Sequence, residues 1–299
     1  MIIDGKSLSK EIQREIARFT SSLTDRRPCL AVILVGNDPA SEIYVNTKTK
    51  TCAKTGILSV KDNLPSHVSE EILLQKIDEL NRNPLIDGIL VQAPLPSHIN
   101  TNKINFAISP EKDVDGFHPV NLGKLMLNDD SGFIPCTPLG IRVMLAKNNI
   151  SVKGKHVVIV GRSVIVGKPM ASLLLQKGEG GDATVTVVHK HTPDLEQICR
   201  EADILISATG MPGFIKGSMV KQGAVVIDVG INRVPCPDDV RGYKIVGDVD
   251  FDAVKEKCSL ITPVPGGVGP MTIAMLLNNT VKSFTRRRPD LCKNTFSCY

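Results

Sequence analysis

An α/β fold in two domains is what this sequence predicts. Strand-like apolar runs alternate with amphipathic, helix-like stretches along its 299 residues, the pattern of layered α/β proteins. The alternation halts once, in the polar segment KNNISVKGK near residue 150, and then begins again. A hydrophobic content of 42% is enough for a core on each side of that break. The expected organisation is a first domain over residues 1–149 together with 271–299, and a second over 150–270. A C-terminal helix is apolar enough to pack back on the first.

In the first half the apolar runs predict strands at Cys29–Val35, Ile57–Val60 and Gly88–Gln92. Helical spacing predicts helices over Leu8–Leu23, Ala40–Thr55, Glu70–Asn81 and Asn102–Ile108. The second of these is well specified: Asn37-Asp38-Pro39 offers a cap followed by proline near the first helical position, and Gly56 ends it. A helix at Leu139–Asn148 follows Thr137 as N-cap and Pro138 as first residue. The second series runs from a strand at Lys155–Gly161 through a helix at Met170–Gln176. A strand at Ala183–Val188, a helix at Leu195–Glu201 and strands in ADILISATG and AVVIDVG come next. The helix-like run MTIAMLLNNTV closes the pattern after the loop PVPGGVGP.

Composition excludes several classes of function. The net charge of +5 is mild, and only Arg286 to Arg288 form a basic run, which reads as a solvated helix end. With no Trp and 4% aromatic residues there is no platform for stacking nucleic-acid bases. Eight cysteines, Cys29, Cys52, Cys136, Cys199, Cys236, Cys258, Cys292 and Cys298, are scattered without a CxxC pair, several of them in apolar runs. The N-terminal MIIDGKSLSKEI has no apolar leader core and carries acidic residues, so neither a signal nor a transit peptide is expected. A cytoplasmic compartment follows, with reduced thiols. Every apolar stretch is too short for a membrane span.

Three segments carry the chemistry. From Pro263 to Pro270, PVPGGVGP joins prolines that fix φ to glycines that free it, with no side chain larger than Val after Pro265. Such a loop brings bare backbone against a flat ligand ring, or else makes a rigid interdomain turn. After the strand KHVVIVG, the segment GRSVIVGKP leads into a helix opened by Pro169, the geometry for phosphate at a helix N-terminus. It departs from GxGxxG, with Ser163 at the second glycine, and spacing alone leaves a structural turn open. One strand later, VVHKHT places His189, Lys190 and His191 where a dinucleotide enzyme meets the ribose. Arg162 and Lys190 would welcome a 2′-phosphate, where an NAD site offers an acid. The HxH pair lacks a third ligand, and no metal is expected.

On the helix ASEIYVNTKTKTCAKT, Tyr44 and Lys48 are four apart and share a face. A ring beside an amine suits stacking plus proton transfer, although such surface pairs are common. Gln92 lies at the carboxyl end of an apolar strand, where open α/β sheets bind ligands. Asp113 and Asp115 of EKDVDGFHP sit in a turn without the oxygen-rich surroundings of a calcium loop. One buried aspartate accepting hydrogen bonds from a heterocycle's amidine-like edge is the better functional reading.

Together these motifs resemble the bifunctional methylenetetrahydrofolate dehydrogenase/cyclohydrolase (FolD-type) family. The resemblance spans essentially the whole chain. IIDGK, YVNTK, VQAPLP, PEKDVDGF, PCTPLG, GRSVIVGKPM, GDATVTVVH, ADILISATG, VIDVGIN, VGDVDF and PVPGGVGPMT occur in family order. It implies an N-terminal catalytic domain, a Rossmann-like NADP-binding domain, a folate cleft between them and a homodimer acting on tetrahydrofolate derivatives. By the same resemblance Lys48 is the catalytic lysine, Tyr44 stacks on the folate, Gln92 positions the lysine and Asp115 anchors the pterin. Val91, Ala93 and the loop Pro265, Gly266, Gly267, Val268 and Gly269 complete the substrate side. Gly161, Arg162 and Ser163 form the cofactor loop, His189 and Lys190 follow the next strand, and Ile231 lies over the cofactor. Two departures stand out: Ala93 replaces a leucine frequent in the family and widens the cleft locally, and Lys190 stands where some members carry serine. Cys136 of PCTP is read as packing. A different NADP-linked dehydrogenase, for a shikimate-like or amino-acid substrate, would explain the strand–loop–helix. It would not explain Tyr44, Lys48, Gln92 and Asp115 as one set. A sensor or scaffold would leave those polar groups without work.

Overall fold

The computed structural model describes residues 1–239, 242–291, 296, 298 and 299 of the chain; Cys292 lies outside them. It divides into two compact units, one of Lys10–Lys124, Asp129–Cys136 and Ile273–Tyr299, the other of Met1–Ser9, Leu125–Asn128 and Thr137–Thr272.

The first unit is built on a parallel sheet of β1 (Cys29–Val35), β2 (Leu58–Leu64) and β3 (Gly88–Val91) in the order β2-β1-β3. All seven residues of β1 are buried, which is why CLAVILV is apolar throughout and does not alternate. Strand β2 is longer than the expected Ile57–Val60. It pairs along its whole length, from Cys29↔Leu58 to Val35↔Leu64, and as an edge strand it carries Lys61 and Asp62, which hid its extent. Helices α1 (Gly5–Ser21), α2 (Pro39–Lys54), α3 (Glu70–Arg82), α4 (Thr101–Ala107) and α5 (Pro119–Met126) follow the expected order except the last. Sequence spacing missed α5, an eight-residue helix in a segment rich in turn residues. Ala31, Ile33, Leu73, Ile77, Ile89 and Ile104 form the centre of the core.

Helix α10 (Val268–Arg287) contributes its later turns to this unit, as the apolar C-terminal run predicts. Ser283 Oγ donates to the carbonyls of Asp87 (2.6 Å) and Glu111 (2.8 Å). The Arg26 guanidinium lies 5.0 Å from the Phe284 ring centroid.

The second unit holds a five-stranded parallel sheet ordered β10-β7-β6-β4-β5. Its strands are β4 (His156–Val160), β5 (Thr184–Val188), β6 (Ile204–Ser207), β7 (Val225–Asp228) and β10 (Leu260–Ile261). Read from β5, this is the doubly wound order in which the first strand lies between the second and the third. The turn-rich stretch between β7 and β10 was left unassigned by the sequence. It contains a hairpin of β8 (Asn232–Pro235) and β9 (Tyr243–Val246), followed by the short helix α9 (Phe251–Lys255). Helix starts also differ from expectation, among them those of two helices with an early proline. Helix α6 (Cys136–Lys147) begins before Thr137, and α7 (Gly167–Leu174) before Met170; α8 (Leu195–Arg200) begins where expected. In α6 and α7 the proline, Pro138 or Pro169, is the third helical residue. A first-turn N–H has no partner within the helix, so proline is tolerated there. Thr137 is therefore no cap; its hydroxyl lies 3.0 Å from that of Thr272.

Candidate active site

In the first unit, β1 lies between β2 and β3, so the chain changes direction at the carboxyl ends of β1 and β3, where open sheets hold ligands. Helix α2 starts at that edge. Asp38 caps it, its carboxylate accepting from the Ser41 N–H and hydroxyl, both at 2.8 Å, with Pro39 opening the first turn. Gly56, at φ +71°, ends it against the Thr20 hydroxyl, which a Cβ would meet at 2.6 Å. The helix is thus fixed at both ends, and Lys48 rides on it one turn after Tyr44. Lys48 Nζ donates to Gln92 Oε1 at 3.0 Å, and the Gln92 backbone N–H donates to the Ile33 carbonyl at 2.9 Å. The expected lysine–glutamine pair is formed at the switch point. Tyr44 is 37% exposed; Val91 is half-buried and Ala93 exposed.

The two aspartates of DVDG divide their labour. Asp113 is buried and spends its oxygens on its own turn: the N–H groups of Gly116 (3.2 Å), Phe117 (3.2 Å) and His118 (2.7 Å), and Asn121 Nδ2 (2.8 Å). Burial pushes its carboxyl up to about 6 against these donors. Asp115 is the aspartate left to face other groups. Burial raises its pKa as well, opposed first by the nearby Lys48 ammonium and then by the neighbouring Cys136 thiol. Cys136 is itself buried, and desolvation with the Asp115 charge holds it well above an ordinary thiol, so it is no nucleophile. Asn279 of α10 ties the neighbourhood together, donating to the carbonyls of Val114 (2.9 Å) and Ile134 (3.1 Å). The part played by Asn279 was missed in the sequence, where the Asn278–Asn279 pair on an otherwise apolar helix was the one available signal.

In the second unit the switch point falls between β4 and β6, and Gly161 stands on it at φ +124°. A Cβ there would meet the Ala208 carbonyl oxygen at 2.3 Å, and one on Gly167 would meet the Gly161 oxygen, so both glycines are required by backbone contact. Ser163 Oγ accepts from the Val166 N–H at 3.1 Å, shaping the turn into α7, which has no side-chain cap of its own. Arg162, Ser163 and Lys190 are exposed on this edge, His189 is half-buried, and Ile231 is 48% exposed. The Pro265–Gly269 loop belongs to this unit. Gly267 approaches backbone of its own chain: a Cβ on Gly5 would meet the Gly267 oxygen, and one on Gly267 would meet the Pro263 oxygen at 2.6 Å. Part of the glycine content thus serves internal packing, and Val268 is buried at the start of α10. Gly269 has Ile231 as its neighbour, at 3.6 Å from an added Cβ.

These residues fit a dinucleotide. The close approach at Gly161 leaves no side chain between strand edge and ligand, and α7 begins just beyond it without a side chain at its N-cap. Past β5 the side chains are His189, Lys190 and His191, so a phosphorylated ribose meets a cation where a plain ribose would want an acid. Among the described residues no three His, Cys, Asp or Glu side chains gather as a metal site.

Sheet order, glycine edge and lysine–glutamine pair together define an NAD(P)-linked enzyme with a second polar site on its own sheet. The comparisons are specific. Residues 3–115 match the tetrahydrofolate dehydrogenase/cyclohydrolase catalytic domain, and residues 135–288 the NAD(P)-binding domain of the same family. The bifunctional protein FolD of Aquifex aeolicus (strain VF5) is 57% identical over 298 residues, covering 99% of each chain. The crystal structure of the bifunctional enzyme FolD from Campylobacter jejuni is 49% identical, with a TM-score of 0.91 over 96% of this chain and 99% of that one. The Trypanosoma brucei dehydrogenase-cyclohydrolase, complexed with NADP cofactor and inhibitor, also scores 0.91. It is 41% identical over 96% of this chain and 97% of its own. The chain belongs to the tetrahydrofolate dehydrogenase/cyclohydrolase family. It is a methylenetetrahydrofolate dehydrogenase and methenyltetrahydrofolate cyclohydrolase in one polypeptide, and the shikimate-like reading is set aside.

Proposed function

We propose that Lys48, Gln92, Tyr44 and Asp115 carry the folate chemistry of this enzyme, and that the cofactor is NADP, held by Gly161, Arg162, Ser163, His189, Lys190 and Ile231. The observation that carries the reading is the 3.0 Å bond from Lys48 Nζ to Gln92 Oε1 at a switch point of the sheet. Bound NADP⁺ supplies the hydride acceptor for oxidation of 5,10-methylenetetrahydrofolate. The folate's own nitrogen lone pair stabilises the methenyl cation, so no protein base is needed at that step. The protein's task there is orientation, which can lower a barrier by several kcal/mol.

Hydrolysis requires a proton to move. Water adds to the methenyl carbon, the bond from that carbon to N5 breaks, and N5 gains a proton as 10-formyltetrahydrofolate forms. Lys48 relays this proton from the added water to N5, its amine held in line by Gln92, and the water's second proton leaves to solvent as the cation's charge is discharged. Tyr44 offers the face on which the aminobenzoate ring stacks. Asp115 accepts from the pterin N–H groups, with Val91 and Ala93 lining the substrate. The functional domains are 1–149 with 271–299, and 150–270. The enzyme works as a homodimer in the cytoplasm and supplies formyl groups to purine biosynthesis. The free state of all seven described cysteines fits a reducing compartment.

The experiment supplies NADP⁺ and methylenetetrahydrofolate, follows methenyl absorbance, and then times its decay to the formyl product. Lys48→Met keeps the apolar stem and removes the amine. It is expected to abolish the decay, while dehydrogenation falls by a smaller factor. A variant that hydrolyses at near wild-type rate removes Lys48 from this role.

A further inference from the structure

Asp248 is fully buried, and no part of the chemistry above uses it. Its carboxylate reaches two loops that leave the carboxyl edge of the large sheet. Oδ2 accepts from the backbone N–H groups of Thr209 (2.6 Å) and Gly210 (3.2 Å), just after β6. Oδ1 accepts from Asn232 Nδ2 at 2.9 Å, the residue after Ile231. The residue is fixed in turn: its own N–H donates to Asp228 Oδ1 at 2.9 Å, and its carbonyl accepts from the Ile215 N–H at 2.9 Å. Gly230 leaves room for it, because a Cβ there would stand 2.2 Å from Asp248 Oδ1.

The loops it joins are those that border the glycine edge. Ala208 donates its N–H to the Val160 carbonyl at 2.9 Å, and its own oxygen is what a side chain on Gly161 would strike. Ile231 opens the other loop, and its side chain reaches toward Gly269. A buried carboxylate costs desolvation that its hydrogen bonds must offset, and among the described residues those it accepts come from the Thr209–Gly210 and Asn232 segments at the ligand edge, apart from the long Ser207 contact at 3.5 Å.

We propose that Asp248 is a positioning residue for the dinucleotide: it locks the Thr209–Gly210 loop and the Ile231–Asn232 loop into the spacing that the cofactor fills. This rests on the reading that this edge binds NADP. Asp228, one strand end away, serves the chain alone, since its oxygens take the N–H groups of Gly230, Asp248 and Val249.

The test is calorimetric titration of NADP⁺ into the ligand-free protein, which involves no turnover. Asp248→Ala is expected to weaken binding by about tenfold or more, the size of one or two lost charge-assisted hydrogen bonds. Asn232→Ala, which cuts one arm and leaves the carboxylate in place, is expected to weaken it several-fold. It decides the matter alone if the first variant does not fold. Amide exchange at Thr209 and Gly210 should quicken in ligand-free Asp248→Ala. Methenyltetrahydrofolate hydrolysis, which uses no dinucleotide, separates positioning from general damage: a merely structural role would lower it together with NADP⁺ affinity. If both variants bind NADP⁺ like the wild type while Arg162→Ala loses affinity, the positioning role is wrong and the site stands. If Arg162→Ala also binds normally, the NADP edge itself is misplaced and the proposal falls with it.

Discussion

Arg162 and Lys190 extend into solvent past the ends of β4 and β5, and neither is engaged by an ion pair among the described residues. A 2′-phosphate there gains charge-assisted hydrogen bonds that a hydroxyl cannot match. Arg162→Ala should lower kcat/KM with NADP⁺ by about tenfold and barely change it with NAD⁺; the double change with Lys190→Ala should go further. Ratios measured at low and high salt check the origin, since screening weakens exposed charges. A double variant that keeps its NADP⁺ preference would show that the selector lies elsewhere. At this scale the sequence was readable where chemistry follows local spacing. Tyr44 and Lys48 share a helical face by arithmetic, and Gln92 ends an apolar run. The division between Asp113 and Asp115 was not readable from local spacing, because it depends on Asn121, Asn279 and Cys136, brought in by tertiary packing; the family resemblance alone singled out Asp115. Asp228 and Asp248 did leave a signal: an acid at the end of an apolar strand or amid small residues is a buried acceptor in waiting.

Among the elements, α3 ends in an unusual way. The buried Lys112 extends its ammonium to the carbonyls of Leu80 (2.9 Å), Asn81 (2.7 Å) and Asn83 (2.7 Å), taking over acceptors that a helix terminus leaves unpaired. Lys112 precedes Asp113, so one residue anchors the turn to α3 while the next knots the turn itself. Lys112→Met should destabilise the protein by roughly 2–4 kcal/mol, since three carbonyls lose a charged donor at once. Urea unfolding measures it, and a loss below about 0.5 kcal/mol would mean water replaces the ammonium without cost. Buried strands such as β1 could be read directly from the sequence, because two covered faces demand an unbroken apolar run. The hairpin β8–β9 could not: its NRVP and YKIV carry half-buried and exposed residues and pair only with each other.

For the molecule as a whole, two buried carboxyls set part of its response to pH. Asp113 and Asp228 are both pushed up to about 6, by burial first. An unfolded aspartate titrates near 3.9. The folded chain therefore holds these protons more tightly, and their contribution to stability is fully present below about pH 4 and lost as pH rises through about 6. Each carboxyl accounts for something on the order of 3 kcal/mol. Subtracting the pH profile of Asp228→Asn from that of the wild type isolates one of them. The difference should slope downward between pH 4 and 6.5, and a flat difference would place the Asp228 carboxyl at its ordinary value. The doubly wound order of the large sheet and the three-stranded order of the small one put both candidate sites at switch points. Strand alternation predicts the α/β layers, while the strand order that sets the switch points depends on pairings between distant segments and was not legible in the sequence.

The sealed thiol beside Asp115 has a practical use. Cys136 is 1% exposed, its Sγ donates to the Val114 carbonyl at 3.3 Å, and Asn279 stands 3.8 Å from the sulfur. An alkylating reagent can reach it only when the turn that carries Asp113 and Asp115 swings open. The labelling rate of the Cys136 peptide, followed by mass spectrometry, is therefore a stopwatch on that opening. A folate analogue that braces Asp115 should slow the stopwatch, which would report occupancy of the pocket without any assay of turnover.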